Sequence, residues 1–195
     1  MSSSEFILGM TPSATDRPDV LARARKGDEA AFEELMRMHE RQVLLTSLRL
    51  LGRMEDAQDA AQEAFLKLYR NLRIFGSPAE IRPWLYRVTV NVCHDLARKR
   101  GLLAAEALAL DVAVEDGGEE RIGLEQQREL LAEALTYLPE KERAAIVLRE
   151  IEGLDTDEVA AILGSTPATV RTQVSTGRAR LRGVVTRLSR RKHGF

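Results

Sequence analysis

The sequence predicts an all-α chain of two small helical domains joined by a flexible acidic linker, and three observations carry that prediction. Apolar residues recur at three- and four-residue spacing through most of the chain, the period of helices buried on one side. Apolar and polar residues nowhere alternate over the length of a strand. From Leu102 to Glu120 the periodicity weakens, and Glu106, Asp111, Glu115, Asp116, Glu119 and Glu120 stand without one Lys or Arg. A length of 195 residues suffices for one medium domain or two small ones. Only 5% of residues are aromatic, so the core falls to Leu, Val, Ile and Ala.

Residues 1–18 are rich in Ser, Thr and Pro without periodicity and read as disordered. Gly27-Asp28 opens the first long helix, with Asp28 as its cap. Phe32, Leu35, Met36, His39 and Val43 hold one side of it as far as Gly52. A second helix, from about Glu55 to Leu72, carries Ala57, Ala60, Ala61, Ala64, Leu68 and Leu72 on one face. Phe75-Gly76-Ser77-Pro78 breaks it. A third, from about Arg82 to Arg100, turns Leu85, Val88, Val92 and Leu96 inward, with Pro83 in its first turn. Residues 19–100 thus form a first domain, 101–123 the linker with its Gly117-Gly118, 124–184 a second domain, and 185–195 a basic tail.

In the second domain, helices from about Leu124 to Leu138 and Glu140 to Glu152 lead into the strongest local signal. Gly153 suits a left-handed helix end. Asp155 and Glu158 have capping-box spacing, and Leu154 can staple onto Val159. That helix stops near Leu163; Gly164 supplies a tight turn, Thr166 caps the next helix and Pro167 takes its first position. Two short helices joined this way are a helix-turn-helix unit. On the second, Val170, Val174, Gly177 and Leu181 face inward, with Gly177 permitting a close helix contact. Ala168, Arg171, Thr172, Ser175, Arg178 and Arg182 fall on the opposite side, the equipment for phosphate and base-edge contacts in a major groove.

The net charge of −1 conceals a segregation. From Arg171 onward stand Arg171, Arg178, Arg180, Arg182, Arg187, Arg190, Arg191 and Lys192 with no acid, which suits contact with a polyanion. A solvated helix face has the same composition, so charge alone decides little.

The run Leu135-x-x-Leu138-Pro139, Arg143, Glu152-Gly153-Leu154, Glu158-Val159-Ala160, Leu163-Gly164, Thr169-Val170-Arg171 and Arg178-Ala179-Arg180-Leu181 resembles region four of bacterial sigma factors. Asp56-Ala57-x-Asp59-x-x-Gln62-Glu63-x-Phe65, then Trp84-Leu85 with Asn91, Asp95 and Arg98, resembles region two of the extracytoplasmic-function group. The two sets stand in the family's order, and the resemblance covers about Gly27 to Gly183.

The resemblance implies a transcription initiation factor that binds bacterial core RNA polymerase and directs it to −10 and −35 promoter elements. It places Asp56, Asp59, Gln62 and Glu63 against a coiled coil of the largest polymerase subunit. The −10 DNA falls to Arg87, Asn91, Arg98, Lys99 and Arg100 with the loop from Ile74 to Ile81. The −35 DNA falls to Thr169, Arg171, Thr172, Ser175, Arg178 and Arg182. Trp84 is placed either to stack on a base or to fill the core, and its position at an apolar helix start favours the core. Asn91 and Asp95 are equally able to bond locally. The acidic linker would pass the polymerase channel as a nucleic-acid mimic. An anti-sigma factor is an implied partner. Gln173 and Thr176 stand where the family often has Arg or Lys, which leaves fewer phosphate contacts.

An enzyme is not expected. His94 and Asp95 are helix neighbours that point apart, and no phosphate loop, nucleophile elbow or metal-ligand spacing occurs, so neither metal nor cofactor is implied. One cysteine, Cys93, excludes an intrachain disulfide and reads as a buried helix residue. The absence of a signal segment and of a long apolar run points to the cytoplasm without membrane insertion, and nothing suggests a small-molecule substrate. Two rivals remain. A response regulator would need a receiver with apolar strands ending in acids, and an adaptor acting through the first domain would not need the outward basic stripe.

Overall fold

The computed structural model describes residues 18–99, 101 and 124–193. The N-terminal stretch through residue 17 and the acidic linker from residue 102 lie outside the described residues. Eight α-helices follow among those described: α1 Pro18–Ala24, α2 Glu29–Leu51, α3 Met54–Asn71, α4 Ile81–Lys99, α5 Leu124–Thr136, α6 Glu140–Ile146, α7 Thr156–Leu163 and α8 Pro167–His193. No strand occurs among them.

Local chemistry sets most boundaries. The Asp28 carboxylate accepts the Ala31 amide at 3.1 Å, which satisfies one of the orphan donors of α2. Gly52 ends that helix with φ of +77°, a conformation that favours glycine. At α7 the capping box is complete: the Glu158 amide donates to Asp155 and the Asp155 amide to Glu158, both at 2.8 Å. Gly164, with φ of +59°, turns the chain into α8, where Thr166 accepts the Thr169 amide at 3.2 Å.

Helices α1 to α4 enclose one core, in which Val20 and Leu21 of α1 meet Leu35, Val43, Ala64, Phe65, Leu68, Ile81 and Leu85. Helix α1 was not anticipated, because seven residues are too few to display a period. Trp84 packs edge-on against Phe75, ring centroids 5.3 Å apart, as the core alternative requires. A second core joins the two halves. Tyr86, Val90, Cys93 and Ala97 of α4 and Leu50 and Leu51 of α2 cluster with Leu135, Leu138, Ala145, Ile146, Val159 and Val170. Helix α4 is therefore buried on two sides. The expected stripe of Leu85, Val88, Val92 and Leu96 accounts for one of them.

The segment from residue 185, expected as a basic tail, continues α8 to His193. Val184 and Leu188 supply the reason, since they pack on Leu130 and Ala134 of α5 and carry the helix past the helix-turn-helix unit. Gly177 does what its position promised: a Cβ there would stand 2.9 Å from Ile146 Cγ1.

Two outcomes follow for stability. Gly177→Ala forces Ile146 to shift and should lower the unfolding free energy by about 1–3 kcal/mol in urea titration. His39 is 2% exposed, and burial holds its imidazole below the ordinary value. His94 is lowered too, first by burial, with Glu140 opposing. A lowered histidine favours the unfolded chain once protonated, so stability is complete above roughly pH 6.5 and declines below it. The unfolding midpoint should fall between about pH 7.5 and 5.5, and less so in His39→Leu.

Candidate nucleic-acid interface

The helix-turn-helix presents its expected face to solvent. Thr169, Arg171, Thr172, Ser175, Arg178 and Arg182 are all exposed, while Val170 and Val174 anchor α8 from beneath. Arg178 pairs with Glu150 at 2.6 Å and Arg180 with Glu142 at 3.0 Å, so two guanidiniums are held in place against the scaffold. Ion pairs of this kind at the margin of the surface contribute little to stability but do orient long side chains. Arg149, Arg171, Arg178 and Arg182 surround one shallow groove, a concentration of cations that suits a phosphate backbone.

On α4, Arg87, Asn91, Arg98 and Lys99 are also exposed, and Arg98 pairs with Asp95 at 2.6 Å. Arg100 lies outside the described residues. The preceding loop is braced by Glu80, which accepts from the Gly76 amide at 3.0 Å and the Ser77 hydroxyl at 3.3 Å. Ile74, 60% exposed, sits at its entrance.

The polar patch expected on α3 divides. Asp59, Gln62 and Glu63 line a groove of about 500 Å³ with Leu66, Lys67, Asp95, Leu96 and Lys99. Asp56 does not join them and is 1% exposed. It precedes Ala60 by one helical turn and so shares the buried alanine side of α3, where a first-turn acid is favoured by the helix dipole.

Sequence reasoning did not find the polar contacts that join the halves. A π-helical segment, Val147–Ile151, extends α6, and the Glu152 amide donates to Val147 O at 2.9 Å. Immediately beyond it, the Glu152 carboxylate accepts from Thr46 at 3.1 Å, from Tyr86 at 2.9 Å and from Arg49. Burial, with a further push from Glu152, raises the Tyr86 pKa, so its hydroxyl remains a donor. Arg143, 7% exposed, donates to the carbonyls of Leu50 at 2.6 Å, Thr136 at 2.5 Å and Leu138 at 2.9 Å. His94 Nδ1 lies 2.8 Å from Glu140. The only sequence signal was Glu152-Gly153, which marks a helix end and says nothing of a partner 106 residues away.

Two family models match the chain, one in each half. The sequence model for sigma-70 region 2 matches residues 35–102, and that for sigma-70 region 4 matches residues 128–181. The ECF RNA polymerase sigma factor SigE of Mycolicibacterium smegmatis is 39% identical over 163 residues, covering 80% of this chain. The chain spans 63% of the length of that relative. The ECF RNA polymerase sigma-E factor of Escherichia coli K12 is 32% identical over 193 residues, covering 93% of this chain and all of the relative. Among solved structures, CnrH in complex with the cytosolic domain of CnrY shares 29% identity with a TM-score of 0.60, over 87% of this chain and 95% of CnrH. The chain belongs to the extracytoplasmic-function RNA polymerase sigma factors, a family of promoter-specific transcription initiation factors.

Arg143→Met keeps much of the side-chain volume and removes the donors to three carbonyls contributed by both halves. It should cost about 3 kcal/mol of unfolding free energy in urea titration, the order observed when one partner of a buried charged network is deleted.

Proposed function

We propose that the chain binds core RNA polymerase through the α3–α4 groove at Asp59, Gln62 and Glu63, and reads promoter DNA with two exposed helix faces. The observation that carries this reading is the α8 face, where six exposed hydroxyl and arginine side chains stand over a buried valine stripe. Thr169, Arg171, Thr172, Ser175, Arg178 and Arg182 serve the −35 element. Arg87, Asn91, Arg98 and Lys99 serve the −10 element, and Arg100 extends that series in the sequence. Residues 19–100 are the polymerase and −10 unit, and 124–184 the −35 unit.

Opening a duplex costs stacking and pairing, and a factor without a nucleotide hydrolysis site offsets that cost by binding the exposed strand. The cations on α4 and the loop held by Glu80 suit that task. The chain acts by binding rather than catalysis, and it acts where the polymerase is, in the cytoplasm. No described helix is long and apolar enough to cross a membrane, and the described residues hold no cluster of metal-ligating side chains. An anti-sigma protein is the second partner, in keeping with the capture of the relative CnrH on the cytosolic domain of CnrY. The α3–α4 groove and the exposed Leu66 and Tyr69 on α3 offer it apolar contacts.

In vitro transcription with sigma-free core polymerase and a bacterial genomic fragment library tests the reading. Discrete start sites that depend on the chain support it; DNA binding without chain-dependent initiation refutes it in favour of a stand-alone regulator. Asp59→Ala with Gln62→Ala should impair polymerase binding before any promoter is present. Arg171→Ala and Arg178→Ala should leave polymerase binding intact, weaken −35 use and lower the salt slope of DNA binding by about one unit per lost phosphate contact.

A further inference from the structure

Two reading surfaces on one chain impose a geometric demand. If one face meets the −35 element and another the −10 element, they are separated by about 25 base pairs, roughly 85 Å of duplex. A compact chain of this length is only about 40 Å across. The arrangement in which α4 shares a core with α6 and α8 cannot span both elements, so the halves must part on a promoter. This argument rests on the function proposed above.

Parting exposes a specific polar site. Thr46 and Tyr86 are 0% and 1% exposed, with their hydroxyls turned to Glu152 of the second half. Arg49 reaches the same carboxylate. The Arg82 guanidinium lies 5.7 Å from the Tyr86 ring centroid, within reach of its hydroxyl, and senses the charge of Glu152. Arg49 and two hydroxyl donors from α2 and α4 thus converge on one carboxylate, and Arg82 stands behind Tyr86 as a second cation. Glu152 itself is only 11% exposed, so its charge requires these partners.

We propose that Thr46, Arg49, Arg82 and Tyr86 form an anion site that Glu152 fills in the closed chain and that a DNA backbone phosphate fills in the open one. Phosphate oxygens replace the two carboxylate oxygens as acceptors of Thr46, Arg49 and Tyr86, with Arg82 close enough to add its charge. The contact is then both a latch and a mask: the second half shields a DNA-binding site of the first by occupying it with its own acid. Release on a promoter is an exchange of one anion for another. Arg49 and Arg82 become backbone contacts beside those of the exposed α4 face.

The native thiol reports opening. Cys93 is 1% exposed and lines a small void with Leu50, His94 and Ala97, closed by Glu140 and Arg143 of the second half. Burial raises its pKa to about 12, so it reacts slowly while the chain is closed.

The test uses the full chain. Maleimide trapping of Cys93 is timed in the native protein, in Glu152→Gln and in Tyr86→Phe, with helix content checked by circular dichroism. Both variants should trap roughly tenfold faster with native helicity, the loss expected for a charge-assisted hydrogen bond. Glu152→Gln should also bind a fluorescent duplex several-fold more tightly between about 50 and 200 mM salt. Adding Arg49→Ala should abolish that gain and reduce the salt slope by about one, without slowing the trapping. Unchanged trapping in both variants overturns the latch. Faster trapping with DNA binding that ignores Arg49→Ala overturns the phosphate site. None of these readouts needs polymerase, so a failure of the transcription assay would reject the initiation reading separately.

Discussion

A carboxylate removed from water must be surrounded by donors, and Glu152 satisfies that demand only with the help of the other half of the chain. Its acceptors take Thr46 and Arg49 from α2 and Tyr86 from α4. The rest of the interface follows from this placement. With Glu152 seated, Tyr86, Val90, Cys93 and Ala97 are covered by the apolar side of the second half, and Arg143 closes the neighbouring carbonyls of Leu50 and Leu138. The π-helical turn adds one residue to the end of α6 and changes which side of the chain Glu152 leaves from. A regular α-helical end would point the carboxylate elsewhere.

Each long helix then has separate uses for its separate sides. Helix α4 holds the first core with Ile81 and Leu85, the shared core with Tyr86 and Val90, and keeps Arg87, Asn91 and Arg98 in solvent. Helix α8 packs Val170 and Val174 on the shared core, Val184 and Leu188 on α5, and leaves its arginines outward. These exposed side chains are therefore carried on helices whose remaining surface is committed to packing, which fixes their position without occupying them. Acids of the scaffold, Glu150 and Glu142, hold Arg178 and Arg180 ready by ion pairing. These acids also temper the local positive field.

What was legible in the sequence was whatever depends on near neighbours. Asp28, Asp155 with Glu158, Gly164 and Thr166 act within four residues of themselves, and each stands where its spacing placed it. The outward face of α8 was equally legible, because one periodic stripe of valines determines both sides of a helix. The burial of Asp56 was not legible, because Asp59 and Gln62 of the same motif are exposed whereas its own helical turn belongs to the alanine side. The second buried face of α4 could not be read, since Tyr86, Val90, Cys93 and Ala97 are interspersed with polar residues and have meaning only once the second half is in place. The extension of α8 was hidden for the opposite reason: its many basic residues outweighed Val184 and Leu188 in any compositional reading. Long-range polar contacts such as those of Glu152 leave no local pattern at all.

The central claim is that one chain alternates between a closed form joined at Glu152 and an extended form on a promoter. The most direct measurement is the distance between spin labels at Glu40→Cys and Gln127→Cys in a Cys93→Ala background, both positions being exposed. It would be taken on the free chain and on the chain bound to core polymerase and promoter DNA. The account predicts one short, narrow distance for the free chain and an increase of tens of ångströms in the complex, as the estimated promoter span requires. The same distance in both states, or a broad long distance in the free chain, would contradict it.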